Sequence, residues 1–134
     1  MGAVTESALA GYEAFNRREF DALLARLTED FFWHEAPEVP GPKGATSRDE
    51  FARYLGGFDQ LWEEFRFEVE ETTEGEDTLH ARVRLHGRGK ASAQPLELVI
   101  HHVWRVREGL FAGMRAYLDG DEARAAAGLQ DVPS

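Results

Sequence analysis

The sequence predicts an α+β domain in which three N-terminal helices pack on a curved, mostly antiparallel sheet. Three observations lead to this fold class. Apolar residues recur with a helical period in the first half of the chain, and they alternate with polar residues in the second half. The length of 134 residues suits one domain with its own core. We therefore expect residues 1–134 to form a single domain, with residues 130–134 as a loose tail.

The first two helices are predicted from their apolar faces. Residues 5–16 place Ala8, Tyr12 and Phe15 on one side of a helix. Residues 19–27 repeat apolar side chains at the i, i+3, i+4 and i+7 positions, namely Phe20, Leu23, Leu24 and Leu27. Both segments therefore have one side that must be buried against other elements.

An aromatic strand over residues 31–35 and a loop rich in proline and glycine over residues 36–46 come next. Ser47 with Glu50 three residues later forms a capping box that starts a third helix. Gly56-Gly57 weakens that helix, so we expect a bend or an early end there. Its apolar stripe consists of Phe51, Tyr54, Leu55, Phe58, Leu61 and Trp62.

The second half of the chain has the two-residue period of strands with one buried face, which favours an antiparallel sheet. The predicted strands cover residues 65–70, 79–86, 96–106 and 110–118. Asp119, with Glu122 three residues later, is placed to cap a short C-terminal helix that Gly128 ends. A strongly bent sheet closed by helices leaves a hollow, and ligand sites favour such concave places.

Composition excludes several classes of function. Fifteen basic and 25 acidic side chains give a net charge of −10, which repels nucleic acid. No apolar run is long enough for a spanning helix, and no basic start leads into an apolar run as in a secretory signal. The absence of cysteine excludes thiolate metal sites and fits a reducing compartment. We expect a cytoplasmic protein without cofactor or metal, and without nucleic-acid or membrane partners.

Three stretches of the sequence carry a resemblance to known proteins. Residues 27–37, LTEDFFWHEAP, resemble the segment that holds the catalytic carboxylate of ketosteroid isomerases. Residues 104–109, WRVREG, resemble a strand and hairpin of SnoaL-like proteins, and residues 114–119, MRAYLD, resemble the last strand of both groups. Residues 9–129 thus resemble the SnoaL-like and ketosteroid-isomerase-like branch of the NTF2-like superfamily. The resemblance implies a cone-shaped fold with a pocket and frequent dimerisation.

The resemblance also implies positions for catalytic groups. Glu35 falls where the isomerases have their proton-abstracting aspartate, and His102 falls where they have a neutral, hydrogen-bond-donating aspartic acid. A register slip of one residue at the hairpin would place His101 there instead. We prefer His102 because it shares a strand face with Leu98, Ile100 and Trp104. SnoaL-like cyclases take an acid/base aspartate from the region of the last strand, which here is Asp119.

Some residues depart from the pattern of the family. The tyrosine that lines the oxyanion hole of the isomerases maps onto Gly11, with Tyr12 beside it, and their supporting tyrosine maps onto Leu55, with Tyr54 beside it. The comparison therefore predicts that the hydrogen-bond network of the isomerases is missing. The Asp-Arg-Asp arrangement of the epoxide hydrolases of this superfamily has no counterpart on an inner strand face either.

The residues themselves support chemistry at two of these positions. Glu35 follows Phe31 and Trp33 at strand spacing, and a carboxylate among aromatic rings has a raised pKa that suits proton abstraction from carbon. It could instead reach water, because Ala36-Pro37 ends the strand. His102 interrupts an apolar face and could donate a hydrogen bond to an oxyanion, or simply be a buried ring bonded to a neighbour. Asp119 could be only a helix cap.

We predict a SnoaL-like pocket protein that acts on a small apolar carbonyl compound as a cofactor-independent isomerase or cyclase. The alternative is a non-catalytic small-ligand-binding or dimerisation domain. A homodimer is expected through the outer sheet face, at Val99, Val103, Phe111 and Tyr117. The residues predicted to line the pocket, each of which could also be plain core, are Trp33, Phe51, Tyr54, Phe58, Trp62, Trp104 and Met114.

Overall fold

The computed structural model describes residues 2–39, 41–92 and 94–129, and within them the chain forms five helices and six strands. The predicted tail at residues 130–134 lies outside the described residues. In chain order the elements are α1 (Ala3–Asn16), α2 (Phe20–Leu24), β1 (Leu27–His34), β2 (Gly44–Ala45), α3 (Arg48–Gly56), α4 (Phe58–Leu61), β3 (Trp62–Glu74), β4 (Thr78–Gly89), β5 (Leu96–Arg107), β6 (Leu110–Tyr117) and α5 (Gly120–Ala126).

The strands form one sheet in the order β2-β1-β6-β5-β4-β3. All neighbouring pairs are antiparallel except β1 and β6, which run parallel. Helix α1 packs on β3 and helix α3 packs on β1, so helices cover the concave face near both edges of the sheet. Bulges in three of the strand pairs bend the sheet. The predicted α+β class, with N-terminal helices on a curved and mostly antiparallel sheet, is confirmed.

The core lies between these helices and the concave face. Leu79, Ala81, Val83 and Leu85 alternate along β4 with more polar residues, and all four are fully buried. The helix side of the core is aromatic: the Phe15 ring of α1 lies 5.2 Å from that of Phe67 on β3. Burial of such apolar surface is the main force that holds the helices on the sheet.

Three element boundaries differ from those predicted. The second helix ends at Leu24 and β1 begins at Leu27, because the backbone here pairs with β6 instead of continuing the helix. The third predicted helix breaks at Gly57 into α3 and the short α4, which agrees with the bend or early end expected at Gly56-Gly57. Trp62 therefore begins β3 rather than ending a helix. The predicted loop also contains β2, which extends the edge of the sheet.

The prediction that Phe111 lies on the outer face of the sheet is wrong, because β6 contains a bulge. Gly113 pairs with Arg105 and Phe111 pairs with Val106, so β6 advances by two residues where β5 advances by one. The extra residue turns Phe111 to the inner side, because side chains alternate along a strand. Val103 does lie on the outer side, but Ala123 and Ala127 at α5 cover it. Two of the four residues predicted at a dimer contact are thus buried, and the homodimer stays a prediction.

No helix in the described part of the chain is both long and apolar enough to cross a membrane.

Gly113 provides a test of the β1–β6 packing. The Phe32 ring of β1 lies over Gly113, and a Cβ atom at that position would overlap the ring. We expect Gly113→Ala to lower the free energy of unfolding by roughly 1–3 kcal/mol through overpacking, measured by urea denaturation. Gly56→Ala is the matched control, since nothing lies within 4 Å of a Cβ there. If Gly113→Ala were as stable as the wild type, the described packing would be wrong.

Candidate functional site

A cavity of about 60 Å³ lies between the helices and the concave face of the sheet. It has room for more than a single water, but it is smaller than the roughly 300–1,000 Å³ of most drug-sized ligand pockets. Glu35 and the neighbouring Phe51 and Tyr54 line the cavity and are partly exposed, so this end is open to solvent. The space therefore suits a small molecule.

Eight of the ten residues predicted at the site line this cavity. The predicted acid and imidazole, Glu35 and His102, are both among them. His101, the alternative to His102, lies on the opposite face of β5, where its ring nitrogen is 2.9 Å from that of His80. The other six are Trp33, Phe51, Tyr54, Phe58, Trp104 and Met114.

Strand register places Glu35 and His102 near each other. Trp33 and His34 of β1 pair with Met114 and Arg115 of β6, so Glu35 continues toward the level of Ala116. His102 of β5 pairs with Ala116 from the other side. Two strand spacings of roughly 4.8 Å therefore separate the two backbones, or about 10 Å. The side chains of Glu35 and His102 therefore border the same cavity, with the small side chain of Ala116 between them.

Glu35 is held at the open end of the cavity. It follows β1 directly and lies two residues after Trp33, on the same face. The backbone N–H of Ala36 donates to its Oε1 at 3.0 Å. Burial raises the pKa of Glu35 above its ordinary value, while that hydrogen bond and the positive charge of Lys43 act in the opposite direction. The result is a carboxylate that is a stronger base than an exposed glutamate.

His102 is buried and belongs to a chain of three hydrogen-bonded side chains. The Nε1–H of Trp104 donates to the hydroxyl oxygen of Tyr12 at 2.9 Å. The same hydroxyl lies 2.7 Å from Nδ1 of His102. The Tyr12 and His102 rings are nearly parallel, with centroids 5.8 Å apart. A hydrogen-bond network with Tyr12 at its centre is thus present next to His102, although the positions of the two isomerase tyrosines hold Gly11 and Leu55.

The network determines where the imidazole proton lies. Burial raises the pKa of the Tyr12 hydroxyl, and it lowers the pKa of His102 to about 3, so both groups are neutral near pH 7. If Tyr12 donates to Nδ1, the hydroxyl is fully used and only the Nε2–H of His102 lacks a partner. If Nδ1 donated instead, the hydroxyl proton of Tyr12 would also need an acceptor. The first arrangement leaves fewer buried groups unsatisfied, so we assign the proton to Nε2.

The network leaves the second ring nitrogen of His102, Nε2, without a contact. It is buried and has no hydrogen-bond partner in residues 2–39, 41–92 and 94–129. A buried donor without a partner is costly, by roughly 1–3 kcal/mol, so its presence at a cavity points to a missing acceptor. A carbonyl oxygen is an acceptor of the right kind.

Two predicted site residues lie elsewhere. Asp119 is exposed, and its Oδ1 accepts from the N–H of Glu122 at 3.1 Å, so it is the N-cap of α5. Trp62 does not line the cavity, because it begins β3 and packs on Phe65 with ring centroids 4.8 Å apart. Asp119 thus has the structural role of a helix cap, which its sequence pattern also allowed. Trp62 was predicted in the site because the predicted helix stripe extended one residue too far.

Other residues that line the cavity were not predicted as part of the site. Tyr12 was predicted on the buried face of the first helix and beside the position of the isomerases' oxyanion-hole tyrosine, but its contact with His102 depends on how α1 crosses the sheet. Phe111 faces the cavity because of the β6 bulge, and no sequence pattern marked Arg26. The remaining ones are Ala8, Gly11, Phe15, Leu23, Phe65 and Phe67.

Comparison with protein families gives one match, to the family described as SnoaL-like domain, over residues 8–114. The comparison with curated proteins found no match.

Solved structures with a similar fold include an NTF2-like protein of unknown function from Burkholderia pseudomallei. Its TM-score is 0.77 at 21% identity, with 93% of this chain and 97% of that chain covered. A candidate SnoaL-like polyketide cyclase from Mesorhizobium loti gives 0.68 at 17% identity, covering 87% and 99%. An LEH-like epoxide hydrolase from M. tuberculosis gives 0.73 at 14% identity, covering 87% and 83%. At these identities the likeness concerns the fold alone.

The buried His102 predicts how stability depends on pH. The unfolded ring titrates at an ordinary pKa near 6.5 and the folded ring at about 3, so the unfolded state binds more protons between these values. The free energy of unfolding should therefore fall as the pH decreases below about 6.5. Between about pH 7 and pH 4, His102→Gln should lose roughly 3 kcal/mol less than the wild type in urea denaturation.

His34→Gln, the same substitution at an exposed position, provides the control. Equal pH dependence of His102→Gln and the wild type would contradict a neutral buried ring.

Proposed function

The chain belongs to the SnoaL-like domain family, and we propose that it is a cofactor-independent enzyme that removes a proton next to the carbonyl group of a small, mostly apolar compound. One observation carries the proposal: Glu35, a carboxylate with a raised pKa, and His102, whose Nε2 has no hydrogen-bond partner among the described residues, line the same apolar cavity. A base and a hydrogen-bond donor around one carbonyl compound are the two groups that enolisation needs.

The proposed step uses these two groups as follows. The carboxylate of Glu35 takes a proton from the carbon beside the carbonyl, and the electron pair of the broken C–H bond moves into the C–C bond of the enolate. Negative charge develops on the carbonyl oxygen, which accepts a hydrogen bond from Nε2–H of His102. Because the ring is neutral and already oriented by Tyr12, little reorganisation is needed as the charge forms.

The fate of the enolate defines the overall reaction. If Glu35 returns the proton to a different carbon of the conjugated system, the product is an isomer of the substrate. If the enolate carbon attacks a second carbonyl in the same molecule, a new C–C bond closes a ring in an aldol cyclisation, and the second carbonyl oxygen takes up the proton. Both outcomes balance without an external oxidant or reductant.

Two other activities are less well supported by the cavity. Among the described residues, Glu35 is the one carboxylate that lines it, so a hydrolase arrangement of two carboxylates and an arginine is not formed there. Binding without turnover would need only the apolar walls. It would give no reason for a carboxylate with a raised pKa opposite an unpartnered imidazole, and the experiment below separates it from catalysis.

Exchange of carbon-bound hydrogen in D₂O tests the proposal directly. We expect the wild type to catalyse exchange at the carbons beside the carbonyl of small ketones such as 2-pentanone, measured by proton NMR. Glu35→Gln should lower the rate roughly 100-fold or more, because a general base typically contributes that much. Glu38→Gln, a change of the same charge at an exposed position nearby, is the control.

The imidazole and the pH profile complete the test. His102→Gln should lower exchange by a factor of roughly 100, whereas His101→Gln on the opposite strand face should not. The rate should rise as the pH increases through the raised pKa of Glu35, because only the ionised carboxylate accepts a proton. Ketone binding without exchange, seen by tryptophan fluorescence, would instead indicate a binding protein.

A further inference from the structure

One residue that lines the cavity, Arg26, has a positively charged side chain that the proposed proton transfer does not use. Arg26 lies between α2 and β1 and lines the cavity. Its Nη1 donates to the hydroxyl of Ser7 at 2.9 Å, and its Nε is buried without a hydrogen-bond partner in the described ranges of the chain. Ser7 is neutral, so this contact does not balance the charge of the guanidinium. The edge formed by Nε and Nη2 is left for another acceptor.

Unsatisfied donors are concentrated at this cavity. Four buried side-chain nitrogens lack a partner among the described residues, and two of them, Arg26 Nε and His102 Nε2, belong to residues that line it. Each such donor is costly when a structure leaves it unpaired. A ligand with two separate acceptors would satisfy both, and one acceptor should be an anion because Arg26 carries a charge.

The two charged residues that line the cavity flank opposite ends of β1. Arg26 directly precedes the strand and Glu35 directly follows it. Leu27 pairs with Phe111 and His34 pairs with Arg115, so the strand spans four residue steps of β6, or roughly 13 Å. A negative group bound at Arg26 is thus kept away from the carboxylate of Glu35, which limits the repulsion between them.

We propose that Arg26 binds the carboxylate of the substrate, so that the protein acts on oxo acids whose carbonyl group lies some atoms away from the acid group. This inference rests on the proposed function of the same cavity. A guanidinium edge matches a carboxylate with two parallel hydrogen bonds, which a neutral ketone cannot make. A single arginine in a cavity of about 60 Å³ fits a carboxylate better than a bulkier phosphate dianion, which needs more donors.

The negative net charge of the chain means that anion binding depends on individual cationic side chains such as Arg26. With a formal charge of −10, the chain as a whole repels anions, so acid binding at this cavity must come from a local cation.

The experiment compares acids and neutral ketones of matched length. The acids are 4-oxopentanoate, 5-oxohexanoate and 6-oxoheptanoate, and each is paired with its methyl ester and with the 2-alkanone of the same carbon number. Binding is followed by tryptophan fluorescence, since Trp33 and Trp104 line the cavity, and turnover by exchange in D₂O. We expect at least one acid to bind roughly tenfold or more tightly than its neutral partners.

Arg26→Gln should abolish this preference, which is measured within the variant as the ratio of the Kd of each neutral ketone to that of its matched acid. Arg17→Gln, which removes the same charge at an exposed position, should keep the preference. If the wild type showed no preference for any acid, or Arg26→Gln retained it, the role of Arg26 would be wrong while exchange of the ketones still supported the proposed function. No exchange with any of the compounds would overturn the proposed function itself.

Discussion

The chain of hydrogen bonds from Trp104 through Tyr12 to His102 is the interaction on which the organisation of the site depends. It joins α1 to β5 across the concave face, and it places two polar side chains inside a core that is otherwise aromatic and aliphatic. A buried hydroxyl and a buried imidazole are each costly alone, but together they satisfy all but one of their hydrogen-bonding groups. The remaining group, Nε2–H of His102, is a fixed donor in apolar surroundings.

Burial affects the two proposed catalytic groups in complementary ways. It lowers the pKa of His102, which keeps the ring neutral, and it raises the pKa of Glu35, which makes the carboxylate more basic. The hydrogen bond from Ala36 and the positive charge of Lys43 act against the second effect and favour the ionised carboxylate. One apolar cavity is thus lined by a neutral imidazole and by a carboxyl group of increased basicity, the division of roles that enolisation requires.

Local patterns in the sequence predicted much of this arrangement. Alternation along β5 separates His101 from His102, and the spacing of Trp33 and Glu35 puts both on one face of β1; the structure has both features. These features depend only on the two-residue period of a strand. The Gly56-Gly57 break was likewise visible, because glycine weakens a helix wherever it lies.

What escaped prediction depends on contacts between distant elements. Tyr12 and His102 are 90 residues apart, and their hydrogen bond exists only because of the way α1 packs across the sheet. The orientation of Phe111 follows from one extra residue in β6. This residue reverses the faces to which the following side chains point, and no residue pattern in the sequence indicates it. Alignment by position with ketosteroid isomerases placed Gly11 at the site, one residue away from the tyrosine that forms the network.

The state of the His102 ring is the central claim, and nitrogen-15 NMR of histidine-labelled protein measures it most directly. The account predicts a neutral ring between about pH 5 and pH 8, with the proton on Nε2 and Nδ1 accepting from Tyr12, and a shift of the Nδ1 signal in Tyr12→Phe. A ring protonated on Nδ1 with a bare Nε2, or an imidazolium at pH near 6, would contradict it.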